Sequence, residues 1–334
     1  VNTVVLYQSI LNEMSEQLDD YEFKLTVLDS ENLTKKGAYQ NFDFFLLDPV
    51  SFLTLRSLGV VGGTLGTLSR GNGSLTTNLM GGVLLMQQGL PTIPLKDIYK
   101  YNVAVSSPHY LENYIAQVFE LEALGYLKPT PEKVSVYESP EAVVESVVSG
   151  EQEIGFVRTG VIERLVKQNR LQAGDVKILN AQHLAGYPFR VSTRLYPEWV
   201  FVANAKVSLE VTRSVASALL ALKVGGESSY QYGVHGFAPP LSYMPVEEVL
   251  KALDIPPYDE APLSWWRIFS QYIWYFGLVT AAVCALVYLS LNTYRKNRHL
   301  TVLVSQEKEA QALLSKSHQQ LDELLGSSPA VIYS

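Results

Sequence analysis

The sequence predicts an α/β region of about 260 residues, then one membrane-crossing helix and a helical coiled-coil linker. Three observations predict it. Short runs of β-branched and aromatic residues alternate with helix-period segments as far as Tyr258. No charged residue lies between Arg267 and Arg295, and Ile273 to Leu291 is almost wholly apolar. Beyond Arg298, Leu303, Ala310, Leu314, Leu321 and Leu324 fit a heptad seam, weakened by polar Glu307 and Ser317.

Taken in order, FDFFLLD (Phe42 to Asp48), YNVAVSS (Tyr101 to Ser107), KVSVYES (Lys133 to Ser139), EIGFVRT (Glu153 to Thr159) and EWVFVA (Glu198 to Ala203) read as strands. Leu111 to Leu124, Pro140 to Ser149 and Leu209 to Leu222 read as helices. Ser139 is the N-cap of the second, with proline in its first turn. This alternation predicts βαβ units and a mostly parallel sheet covered on both faces. GTLSRGNGS (Gly66 to Ser74) reads as a glycine- and serine-rich surface loop. As a helix, Ile273 to Leu291 rises about 28 Å, close to the bilayer's apolar thickness. Trp265, Trp266, Tyr272 and Trp274 crowd one end, and Arg295, Lys296 and Arg298 follow the other. Basic residues stay on the cytoplasmic side, so residues 1–267 are expected outside the membrane and 294–334 in the cytoplasm. No signal peptide opens at Val1, so an export signal is expected to precede this sequence.

The net charge of −7 and a pI near 5.4 argue against nucleic acid as a partner. The only cysteine, Cys284, lies in the apolar stretch, which leaves the outer region without a disulfide, zinc cluster or thiol nucleophile. Neither HExxH spacing, a GxSxG elbow nor a Walker-type loop occurs, so no catalytic residue, metal ligand or cofactor is expected in this chain.

Ligands of open α/β sheets bind where strands run into helices. At Val105-Ser106-Ser107-Pro108-His109-Tyr110 a strand delivers two hydroxyls to a helix start, suited to an anion or to plain capping. Asp48 stands at a second junction, equally as an N-cap or a ligand contact. Arg158, ahead of Thr159 at a third, implies either an anion or a buried carboxylate beside its guanidinium. Arg190, Ser192 and Thr193 add more cation and hydroxyl. Together the junctions predict a small oxyanion pocket.

The segments FDFFLLDP, MGGVLL, VAVSSPHYLENYIAQVFELEALGY, STRLYPEWVF and FAPPLSYMPVEEVLKALDIPPY resemble the phosphonate-binding-protein-like family of type II periplasmic binding proteins, across Tyr7 to Tyr258. The STRLYPEW segment is similar to the outer domain of sensor histidine kinases of the tetrathionate-sensing kind. The resemblance implies two α/β lobes clamping a ligand within domain 1–260. One lobe would hold about 1–90 and 188–258, the other about 91–187. Residues 268–293 would span the membrane, 294–325 would form the linker, and 326–334 resemble the opening of a PAS domain. Residues Val1 to Leu18 resemble the family's first helix, so its usual first strand is expected to be absent. The implied ligand shell is Ser106, Ser107, Tyr110, Arg158, Thr159, Arg190, Ser192 and Thr193, with Asp48 from the junction argument. The implied protein is a homodimeric two-component sensor kinase that binds a small oxyanion or carboxylate. Its ATP, magnesium and response-regulator contacts would belong to a kinase part outside this sequence. The same sensor on a cyclic-dinucleotide synthase or chemoreceptor, or a tethered solute-binding protein serving a transporter, are the alternatives.

Overall fold

The computed structural model describes residues 2–28, 33, 35–222, 233–259 and 265–326. Contacts divide the chain into two units, Val1–Glu260 and Ala261–Ser334.

The first unit opens with α1 (Asn2–Gln17), followed by β1 (Phe44–Leu47) and α2 (Pro49–Ser57). Next come β2 (Val61–Asn72), β3 (Leu75–Thr77), β4 (Leu79–Met80), β5 (Gly82–Gln87) and β6 (Val103–Val105). A π turn, Leu111–Ile115, leads into α3 (Ala116–Ala123), then β7 (Val134–Val136) and α4 (Pro140–Val148). The unit continues through β8 (Ile154–Arg158), α5 (Val161–Lys167), β9 (Val176–Leu179), β10 (Tyr196–Pro197) and β11 (Val200–Asn204). It closes with α6 (Leu209–Ala221), β12 (Val234–Ala238) and α7 (Met244–Ala252). All five strands read from sequence are present, and Ser139 caps α4 by accepting from the Ala142 N–H at 3.2 Å.

Two sheets result. The first has the order β1-β11-β2-β12 with β3 on β2, and the second the order β7-β6-β8-β5-β9. Each is covered on both faces. In the second, Val83 and Leu85 of β5 meet Val143, Val144 and Val147 of α4, while Leu84 and Met86 meet Ile98 and Leu121 on the other side. In the first, Val200 and Val202 face α2 and α7, and Phe201 and Ala203 face Met14 and Leu219. The period-2 alternation along β5 and β11 therefore serves two cores at once.

Three expectations need correction. The sheets are not mostly parallel: every pair of the first is antiparallel, and only β7-β6-β8 run parallel in the second. Local βαβ crossovers set the direction of β6, β7 and β8. Neighbours such as β1 and β11 are far apart in sequence, so no such crossover relates them. The Gly66 to Ser74 stretch is no loop, since it forms most of β2 and the turn of a hairpin. A Cβ on Gly66 would lie 3.1 Å from Leu219, and one on Gly71 2.5 Å from the Leu75 carbonyl. Gly73 turns the hairpin at φ +62°. These glycines mark close approach and a tight turn. Lastly, the second sheet begins with β5 at Gly82, ahead of the expected boundary near 91. The two crossings between sheets pair as an antiparallel ribbon, β4 with β10, through Met80 and Tyr196.

The second unit is one helix, α8 (Trp265–Gly326). Within Ile273–Leu321 it is long and apolar enough to cross a membrane, by length and composition. Of the expected PAS-like opening at 326–334, residues 327–334 lie outside the described residues.

Candidate functional site

The carboxyl edge of the second sheet gathers the polar side chains of interest. After β6 the chain runs through Ser106 and Ser107 into the π turn, a form of helix frequent at functional sites. Gln117 supports the turn. Its Nε2 donates to the Glu112 carbonyl at 2.9 Å and the Val157 carbonyl at 3.2 Å, tying the helix to β8. Gly82 makes room for it, since a Cβ there would stand 2.4 Å from Gln117 Cδ. Ser107 Oγ accepts from the His109 N–H at 3.2 Å, and the Tyr110 ring lies 6.3 Å from the Trp199 ring.

Arg158, at the end of β8, faces two carboxylates. Its Nη2 donates to Glu198 Oε1 at 2.5 Å, and its Nη1 lies 3.9 Å from Glu112 Oε1. Their side chains are 14 %, 2 % and 1 % exposed, so this is a buried network. Trp199 completes it, with Nε1 donating to Glu112 Oε1 and its backbone N–H to Glu198 Oε2, each at 3.1 Å. Burial pushes the Glu112 carboxyl above its ordinary range; Arg158 pulls it down, and the Asp48 charge adds to the rise. Burial alone would lower the Arg158 guanidinium, but Glu198 and Glu112 together hold it above its usual value. Of the two partners the sequence left open for Arg158, the structure provides the buried carboxylate.

The other expected contacts are spread along the crossings between sheets. Thr159 Oγ1 accepts from the Gly81 N–H at 3.2 Å and from the Tyr187 hydroxyl at 3.1 Å. Ser192 Oγ donates to the Leu179 carbonyl and accepts from the Leu84 N–H. Thr193 Oγ1 accepts from the Gly82 N–H and donates to the Arg194 carbonyl. These hydroxyls satisfy backbone groups of β5 and β9 and their flanks. Asp48 caps α2, accepting from the Val50 and Ser51 N–H groups at 3.0 and 3.1 Å. Arg190 reaches the Ala173 carbonyl at 3.5 Å. The structure thus brings Ser106, Tyr110 and Arg158 to one edge and leaves Arg190, Ser192 and Thr193 along the return crossing.

Sequence reasoning missed Glu112, Gln117, Glu198 and Trp199. The available signal was a glutamate directly before an apolar strand, at Glu198, where a surface acid is out of place. Five buried polar atoms here have no hydrogen-bond partner among the described residues: Ser106 Oγ, Glu112 Oε2, Asn113 Oδ1, Gln117 Oε1 and Arg158 Nε. Buried polar atoms are normally paired, so their concentration at one strand edge fits a place for a small polar ligand. Among the described residues no group of three or more His, Cys, Asp or Glu could hold a metal ion.

A family model described as "ABC transporter, phosphonate, periplasmic substrate-binding protein" matches residues 1–242. The tetrathionate sensor histidine kinase TtrS of Salmonella typhimurium is 22% identical over 296 residues. That match covers 86% of this chain and 47% of the kinase, so the chain spans about half of that protein's length. Among solved structures, PhnD1 of Prochlorococcus marinus in complex with methylphosphonate superposes with a TM-score of 0.56 at 17% identity. It covers 74% of this chain and 92% of that one. A binding-protein component of the phosphonate transporter of Pseudomonas aeruginosa gives 0.56 at 12% identity, with 74% and 80% covered. At these identities the structural likeness is one of fold.

Proposed function

This chain belongs to the family of periplasmic substrate-binding proteins of phosphonate transporters, and from that premise we propose that it is the ligand-sensing region of a membrane-spanning signalling protein. The observation that carries the reading is the set of buried polar atoms, without a partner among the described residues, at the carboxyl edge of β6 and β8 in a fold built to hold small ligands. The ligand is a small oxyanion or carboxylate that enters between the two sheets, each the core of one lobe. α8 crosses the inner membrane once, with Arg295, Lys296 and Arg298 on the cytoplasmic side.

Signalling is favoured over transport by the reach of the kinase match. At 86% of the chain it extends well past residue 242, into the long helix that a free binding protein does not need. A ligand signals only through its different affinity for two arrangements of the protein. Glu198 offers a route for such a difference. Its carboxylate holds Arg158 of the second sheet, and its carbonyl accepts from the Tyr243 hydroxyl at 2.5 Å. Tyr243 opens α7, after which the chain runs through Pro256 and Pro257 to α8. α8 pairs with its copy in a homodimer along Leu303 to Leu324. Phosphoryl transfer to a response regulator takes place in a kinase part outside this sequence. A tethered binding protein serving a transporter is the second reading, favoured by the description of the family model.

A thermal-shift screen of the full chain in detergent tests the reading. The panel is methylphosphonate, phosphate, sulfate, tetrathionate and acetate. At least one should raise the midpoint in proportion to the logarithm of its concentration. A flat response to all five would sink it.

A further inference from the structure

We propose that the junction admits an oxyanion together with one proton, held between a ligand oxygen and Glu112 Oε2, so that Glu112 sets which oxyanions are accepted. This inference rests on the receptor reading above and names the state of the ligand at that same site. An oxyanion that keeps an O–H near neutral pH, such as a phosphonate, brings the proton with it. A sulfonate of the same shape has none to bring, and binds only when Glu112 takes one from solvent.

Geometry selects Glu112. In the parallel pairing of β6 with β8, Val105 lies beside Phe156, so Ser106 and Arg158 follow at one edge. Ser106 Oγ and Arg158 Nε are hydrogen-bond donors there, buried and without a partner among the described residues. Both suit the ionised oxygens of an anion. Glu112 stands on the π turn that follows this edge, and its side chain is 1 % exposed. One of its oxygens is engaged: Oε1 accepts from Trp199 Nε1 at 3.1 Å and lies 3.9 Å from Arg158 Nη1. Oε2 is buried with no donor among the described residues. Such an oxygen meets the oxygen of an anion as a second acceptor, and two acceptors attract only with a proton between them. Asn113 Oδ1 and Gln117 Oε1 are unmatched acceptors too, but amides hold no exchangeable charge.

The charges around the carboxyl favour the proton. Arg158 reaches Glu112 from β8, yet that guanidinium also holds Glu198, ahead of β11, at 2.5 Å. Asp48, ahead of α2, and Tyr7, on α1, are the further titratable groups that act on this cluster. Burial raises the Glu112 carboxyl, Arg158 lowers it and Asp48 raises it, with a net rise. Protonation turns Oε2 from an acceptor into a donor. A buried water is the plain alternative occupant beside Oε2. Water both donates and accepts, so it would leave anion binding indifferent to the charge of Glu112.

The test is isothermal titration of the full chain in detergent with methanesulfonate, whose charge is constant from about pH 5.5 to about pH 8.5. Wild-type affinity should fall at least tenfold over that span, because each bound anion requires one proton. Glu112→Gln carries an N–H donor at every pH, so its affinity should change less than threefold. Titration of the wild type at about pH 8 in two buffers of different ionisation enthalpy should show net proton uptake, a readout that does not depend on the variant folding. A wild-type affinity unchanged by pH, binding without proton uptake, or a variant with the wild-type slope overturns the assignment and leaves the receptor reading in place. Wild-type protein that binds no methanesulfonate at about pH 5.5 overturns it too, and the five-anion screen then decides the receptor reading separately.

Discussion

Replacing Glu198 with alanine removes the carboxylate that holds Arg158 and accepts from the Trp199 backbone. Arg158 would remain buried, with Glu112 Oε1 at 3.9 Å as its remaining countercharge. Breaking a buried pair from one side costs roughly 3–5 kcal/mol, and the surviving carboxylate places this case at about 3 kcal/mol. For a domain of this size that is a fall in melting temperature of roughly 6–12 °C. Melting followed by near-ultraviolet circular dichroism reads it directly. The double variant Arg158→Met with Glu198→Leu should recover most of the loss, because both charges leave together. A Glu198→Ala protein that melts within about 2 °C of wild type, or a double variant no better than the single, would refute the reasoning. The same argument applies to Arg158→Ala, which strands Glu198 and Glu112 and should lower stability as well as any ligand affinity.

Further predictions concern the turn and the surface. Gly82→Ala drives a methyl into Gln117 and breaks its bonds to Glu112 and Val157. A loss of about 1–3 kcal/mol and faster hydrogen exchange across 111–117 are expected. Hydrogen bonds from Lys251 and then Arg56 draw Glu247 down to about 2 from an ordinary 4.5. Its folded value lies below the unfolded one, so its contribution is present above pH 4.5 and lost as pH falls through 2. Glu247→Gln should therefore cost up to about 1 kcal/mol at pH 7 and nothing below pH 2, read from urea midpoints.

What the sequence disclosed was local. Ser139 before Pro140 is a helix start that short-range hydrogen bonding completes, and Asp48 before Pro49 is another. The short apolar runs in FDFFLLD and EWVFVA marked β1 and β11, since both faces of each strand pack into a core. Distant pairing was hidden. Nothing around Arg158 shows that its countercharge is Glu198, which arrives on the return crossing. Ser192 and Thr193 look like ligand contacts because hydroxyls serve anions and backbone amides equally well. Here they satisfy amides of β5. Glycines of β2 imitate a loop because their reason for being small lies on other elements, at Leu219 and His235.

The claim of a receptor domain outside the membrane joined to a cytoplasmic helix can be tested by labelling intact cells. Cys284 is first replaced by alanine, and single cysteines are placed at Ser74, in the β2–β3 turn, and at Ser315, on α8. A maleimide that cannot cross the inner membrane should modify the cysteine at position 74 in whole cells and the one at 315 only after lysis. Protection of position 74 together with labelling of 315 before lysis would contradict the account.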